Sequence, residues 1–176
     1  MSKSPRRPAG GSDPAGEFPQ DVMTYIFHLF SVMGRHREAR VDEALKPLDL
    51  NLSRHRALSV VQRLEPCPMT QLAEYTAIDR TTLTRTVDQL VSAGLVERST
   101  PLTDRRQVLL SLTEKGRATC KLSAGVVTKI NRDLIDGLPE DQQRQVARAF
   151  ERMVGNLVGD VGLRERLLLR DEILED

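Results

Sequence analysis

Between Asp79 and Leu112 the spacing of apolar side chains changes, and that change limits the chain to few architectures. From Asp79 to Ala93, the residues Leu83, Val87, Leu90 and Val91 recur at three- and four-residue steps, as on a helix with one buried face. Gly94 then stands where the left-handed residue just past a helix is wanted, and Leu95 supplies the apolar contact that often accompanies such a cap. After Gly94 the period drops to two. Leu95 to Ser99 reads as one short strand and Gln107 to Leu112 as another, with Val108, Leu110 and Leu112 on one side. Thr100 to Arg106 between them is polar, so the unit is a β-hairpin with a long loop tipped by arginine.

Helices flank this unit on both sides. From Asp21 an apolar stripe runs through Val22, Tyr25, Ile26, Leu29, Phe30 and Met33 to Val41, Ala44 and Leu45, and Pro47 stops it. The stripe is interrupted near His36, Arg37 and Arg40. Polar groups on an apolar face are either a paired core network or the lining of a ligand site. A second helix starts near Ser53 as N-cap and ends at Leu64, burying Ala57, Val60, Val61 and Leu64. A short helix over Thr70 to Tyr75 and a tight turn lead to Asp79, a good N-cap. Downstream of the hairpin, Thr113 caps a long helix with Glu114 in its first turn and Leu122, Val126, Ile130 and Leu134 at steps of four. Gly137 ends it, and Pro139 takes the first position of the next helix, striped by Val146, Ala149, Phe150, Met153, Val154 and Leu157.

The expected organisation is a disordered tail over 1–19, one domain over 20–160, and a C-terminal extension over 161–176 that forms a short helix. The fold class is mainly α with a small β-hairpin. Aromatic residues make up 3% of the chain and Trp is absent, so Leu, Val, Ile, Met and Ala must build the core, which suits packed helices. The net charge of +1 neither demands nor excludes nucleic acid, so the placement of Lys and Arg has to decide. Lys3, Arg6 and Arg7 in the tail are either phosphate contacts or solvated charges. Cys67 and Cys120 have neither CxxC spacing nor a Cys/His cluster, leaving reduced cytosolic thiols or a redox switch. No apolar run follows the basic N-terminal residues and none approaches a membrane span, so a cytoplasmic protein without a membrane partner is expected. With no phosphate loop, metal spacing or nucleophile arrangement, the chain is read as a non-enzyme without cofactor or metal.

Helix, turn, helix and hairpin together form a winged helix-turn-helix, whose second helix fits the major groove of DNA. If Leu83, Val87, Leu90 and Val91 face inward, Thr81, Thr82, Arg85 and Asp88 face outward and Arg80 leads. Arg can grip guanine through two acceptors, and Thr can bond a base or phosphate and pack on a thymine methyl. Thr81 and Thr82 also read as ordinary solvent-facing residues of a first turn. In the hairpin loop, an Arg can enter the narrow minor groove while Asp104 pairs with it and holds it in place. The alternative there is a solvated charged turn.

The stretch MTQLAEYTAIDRTTLTRTVDQLVSAGLVERSTPLTDRRQVLLSLTEKG resembles the MarR family of bacterial regulators. The likeness runs in order through the Leu72-Ala73 pair, IDRTTLTRTVDQL, AGLVER and DRRQVLLSLTEKG, the last being the most specific. LNLSRHRALSVV resembles the family's second helix, and the likeness covers roughly Asp21 to Leu157. It implies a winged helix-turn-helix over about 50–115, with dimerisation helices over about 20–47 and 113–160. It further implies a homodimer whose recognition helices meet major grooves about 34 Å apart on a palindromic operator. The family's wing pattern maps onto Asp104 and the minor-groove Arg106, with Arg105 a second basic residue near the backbone. The family implies a repressor released by a small molecule, often an aromatic acid, or by oxidation. His36, Arg37 and Arg40, with His55 and Arg56 on the next helix, offer cationic groups for an aromatic carboxylate or its CoA thioester. Core or surface packing of these residues is the other reading. Peroxide-sensing members carry a Cys near the start of the first helix, and this chain has none there.

Two rivals remain at this level. One is a winged-helix module that binds protein, which would favour an apolar recognition face over the Arg, Thr and Asp found here. The other is a thiol-based redox regulator. The wing assignment leads to a direct test: Arg106→Ala should weaken operator binding by about tenfold or more in gel-shift titration, with the dimer still folded. Unchanged affinity would sink the minor-groove role.

Overall fold

The structure is a computed structural model, which describes residues 21–76, 78–101 and 107–162. The chain divides into two compact units at Glu38 and Ala39, within the first helix.

That helix, α1, spans Val22–Leu45. Asp21 starts it: the carboxylate accepts from the Thr24 hydroxyl at 2.6 Å and from the Thr24 backbone N–H at 3.0 Å. Val22, Ile26, Leu29, Phe30 and Met33 are all exposed, whereas Val41 and Leu45 near the other end are fully buried. Within the second unit, the stripe read from the sequence supplies Val41 and Leu45 to the core. A 3-10 turn over Lys46–Leu48 holds Pro47, and Asp49 follows in the left-handed region.

The second helix, α2, covers Leu52–Leu64. Its cap is Asn51, which accepts from the Arg54 N–H at 2.9 Å, and not Ser53 as the sequence suggests. Both residue types cap well. The neighbour decides, because Asp42 of α1 takes the Leu52 N–H at 2.8 Å and fixes the start there. Then come α3 over Met69–Thr76 and α4 over Arg80–Ser92.

Three strands follow or precede these helices: β1 at Cys67–Pro68, β2 at Val96–Ser99 and β3 at Leu109–Leu112. They form one antiparallel sheet in the order β1-β3-β2, with Val96 opposite Leu112 and Cys67 opposite Leu110. The hairpin was legible in the sequence, but the third strand was not. Two residues, one a proline, carry no periodicity, and a proline is tolerated on such an edge because it owes the ladder no N–H. The core of this unit joins Leu58 and Val61 of α2, Leu72 of α3, Leu83, Val87 and Leu90 of α4, and Leu110 of β3.

Helix α5, Glu114–Ile135, is capped by Thr113, whose hydroxyl accepts from the Gly116 N–H at 2.9 Å. Its buried face is Gly116, Cys120, Ser123 and Ile130. Of the stripe expected from the sequence, Ile130 is buried and Val126 packs against the core, whereas Leu122 is 60% exposed and Leu134 45%. At the first turn only glycine fits, because a β-carbon on Gly116 would lie 1.9 Å from the Leu95 carbonyl oxygen. Gly137 turns the chain at φ 81°, and α6 runs over Glu140–Leu157, with Pro139 as N-cap, one position earlier than expected. None of its stripe is buried, and Leu157 is 84% exposed. No helix among the described residues is long and apolar enough to cross a membrane.

Gly116 offers a test of this packing. Since the oxygen it faces belongs to backbone, Gly116→Ala should cost about 1–3 kcal/mol, the usual penalty for overpacking, as a lowered midpoint in thermal or urea unfolding. An unchanged midpoint would contradict the close approach.

Candidate nucleic-acid interface

Asp79 opens α4 by accepting from the Thr82 N–H at 2.9 Å, and the hydrogen bonds from Thr82 hold its carboxyl below the usual range. Leu83, Thr86, Val87 and Leu90 face inward. The inward set contains Thr86, which the apolar pattern did not show. Its hydroxyl satisfies itself on the Thr82 carbonyl at 2.8 Å. Arg80, Thr81, Thr82, Arg85 and Asp88 are all exposed, so the helix presents these five residues to solvent as the sequence expected.

The other end of α4 is closed twice. Gly94, at φ 67°, donates to the Val91 carbonyl, and Leu95 donates to the Leu90 carbonyl, both at 2.9 Å, a complete Schellman cap. The start of α5 then covers the carbonyls just beyond. The Thr113 hydroxyl donates to Gly94 at 2.7 Å and the Lys115 ammonium to Ala93 at 2.9 Å. A cation at a helix C-terminus also suits the helix dipole.

Two ion pairs hold the hairpin. Glu65, at the end of α2, accepts from the Leu112 N–H at 3.0 Å and from both terminal nitrogens of Arg117 at 2.5 and 2.9 Å. Arg117 also donates to the Leu112 carbonyl at 3.3 Å. One carboxylate thus ties β3 to α2 and α5. On the outer side, Arg98 of β2 donates to Asp88 of α4 at 2.6 Å. Asp88, expected to face DNA, therefore has its carboxylate engaged by a basic partner. Arg98 was missed by the sequence reading. The available signal was its two-residue spacing from Val96, which puts both on the sheet face turned toward α4.

Asp104, Arg105 and Arg106 lie outside the described residues, as do the tail 1–19 and the extension from 163 onward. Of the cationic groups considered for an effector, His36 is exposed and Arg37 half-buried on the first part of α1. Arg40 is exposed and pairs with Asp133 of α5 at 3.3 Å. Arg56 is half-buried. His55 is buried, its Nδ1 3.0 Å from the Ser123 hydroxyl oxygen, which donates onward to the Cys120 carbonyl at 2.9 Å. Both cysteines are buried as free thiols. Burial pushes the Cys67 thiol up to about 11 and raises that of Cys120 as well, so neither has the thiolate character of a reactive cysteine.

The Glu65 clamp has a pH signature. Chiefly the Arg117 hydrogen bond lowers the Glu65 pKa below its ordinary value. A carboxylate depressed in the folded state stabilises above its unfolded pKa, and that contribution fades as pH falls through the folded one. Glu65→Gln should therefore melt below wild type at neutral pH, with the gap closing in acid. A gap that stays constant on acidification would contradict the clamp.

Residues 48–107 match the sequence model of the MarR family. A mutant of MarR from E. coli, solved in complex with operator DNA, superposes with a TM-score of 0.67 at 25% identity, over 74% of this chain and 94% of that one. A MarR-family transcriptional regulator from Rhodococcus sp. RHA1 gives 0.68 at 24% identity, over 77% and 96%. CouR from Rhodococcus jostii RHA1, solved bound to p-coumaroyl-CoA, gives 0.67 at 24% identity, over 77% and 95%.

Proposed function

We propose that this MarR-family regulator is a repressor that binds a palindromic operator as a homodimer and is released by a small anionic effector. The observation that carries the DNA-binding part is the outer face of α4. It presents Arg80, Thr81, Thr82 and Arg85 on a helix held at both ends, in the segment matched to the family. Arg85 and Arg80 have the reach for guanine edges or phosphates, and the threonines suit thymine methyls. Asp104, Arg105 and Arg106 are proposed for the wing, with Arg106 in the minor groove.

The homodimer is supported by apolar surface. Phe30 and Met33 of α1, Leu122 and Leu134 of α5, and Val146 and Leu157 of α6 are all exposed in the single chain. Patches of this kind mark interaction sites, and a second copy of the same chain would bury them.

The effector reading is supported by the solved relative that holds an acyl-CoA and by the cations on α1 and α2. Arg40 is the group best placed to change partners. Exposed ion pairs contribute little, so an incoming carboxylate or phosphate could displace Asp133 from it. Arg56 and His55 on α2 are proposed as its companions, and His36 and Arg37 carry the same chemistry on the preceding turns of α1.

A gel-shift titration on the DNA upstream of the chain's own gene tests the reading. A complex should form, and its affinity should fall steeply with salt as phosphate contacts release counterions. Aromatic acids or their CoA thioesters should dissolve it. A salt-independent interaction, or no complex, would favour a protein-binding module instead.

A further inference from the structure

We infer that Arg98 is a contact to the DNA backbone and that Asp88 is the residue that aims it, an assignment resting on the DNA-binding reading above. The two side chains meet at 2.6 Å, one from the wing and one from the recognition helix. In the strand ladder Arg98 stands opposite Leu110, two residues on from Val96, which stands opposite Leu112. Val96, Leu110 and Leu112 are buried on the inner face of the sheet, against the core that α4 shares. Arg98 continues that face on β2, the edge strand of the sheet, and its side chain is 37% exposed. The guanidinium therefore lies in the angle between recognition helix and hairpin.

That angle has a fixed meaning on DNA. If α4 enters the major groove and the hairpin loop the neighbouring minor groove, one sugar-phosphate strand must run between them, because the backbone is what separates the two grooves. A guanidinium has five N–H donors in a planar fork, and the Asp88 bond engages one of its terminal nitrogens. The fork matches phosphate geometry. Asp88 alone on this face would repel phosphate. Paired, it holds a long flexible side chain in one direction. The pair is half exposed, and exposed pairs contribute little stability, so a role as a mere strut is a weak account of it.

The test uses the full-length chain. Wild type is first used to select a short duplex from a randomised pool. Wild type, Arg98→Gln, Arg98→Lys and Asp88→Asn are then titrated on that duplex across a salt series, with melting curves to check the fold. Arg98→Gln should bind about tenfold more weakly, and its plot of log affinity against log salt should be shallower by about one, the loss of one phosphate contact. Arg98→Lys should restore the slope. Asp88→Asn should bind more weakly at an unchanged slope, since the charge remains but is no longer aimed. A loss of affinity in Arg98→Gln with the wild-type slope, as a strut would give, overturns the assignment, and so does unchanged affinity. If Arg98→Gln does not fold, ethylation interference with wild type decides. Interference at the phosphates between the recognition-helix site and the adjoining minor groove supports the contact, and none there overturns it. Failure of wild type to select any duplex appears before a variant is tested, and it would sink the DNA-binding reading and this inference together.

Discussion

The Leu95 carbonyl and the α-carbon of Gly116 come together with no space for a side chain, and the placement of α4 depends on that approach. It brings the first turn of α5 onto the turn that ends α4. Thr113 and Lys115 can then cover the Gly94 and Ala93 carbonyls, and Thr113 can cap its own helix with the same hydroxyl. A helix end left without such partners would expose several carbonyls to the cost of going unbonded. Here the long helix that carries exposed apolar surface and the helix that carries the Arg and Thr face share one junction. Any displacement of α5 is felt at the C-terminal turn of α4.

Charge is distributed around this junction in a way the net value of +1 conceals. On the inner side Glu65 gathers a backbone N–H and both arms of Arg117, and so holds β3 against α2. On the outer side Asp88 holds Arg98. In each case an acid organises a base, and the acid on the outer face of α4 becomes intelligible through its partner on the neighbouring strand. Buried polar groups of this unit find partners close by: His55 lies beside Ser123, and Thr76 and Thr86 each donate to a carbonyl of their own helix.

Helix-turn-helix and hairpin were legible because each rests on local rules. Asp79 caps, Leu83 to Leu90 repeat, Gly94 reverses, and Leu110 and Leu112 alternate, all within a few residues of one another. The exposed set Arg80, Thr81, Thr82, Arg85 and Asp88 followed from the same periodicity. What was missed lay across long sequence separations. Asn51 rather than Ser53 caps α2 because Asp42 reaches its first N–H. Cys67–Pro68 becomes a strand only because β3 lies beside it. Arg98 gains its position from a residue on another element.

By itself the sequence determined the order of the helices and the hairpin, which side chains of α4 face outward, and the likeness to one family of regulators. These follow from spacing, capping chemistry and turn residues, which act over one or two turns of chain. Only the tertiary structure decided which apolar stripes are used. Leu83 and Val87 enter the core, while Leu122, Leu134 and Leu157 look equally apolar in sequence and remain on the surface. The reason is that periodicity shows a face wants covering but not what covers it. On α5 the close approach of Leu95 admits only glycine at position 116, the face that continues from it through Cys120 and Ser123 to Ile130 is buried, and Leu122 and Leu134 are left outside.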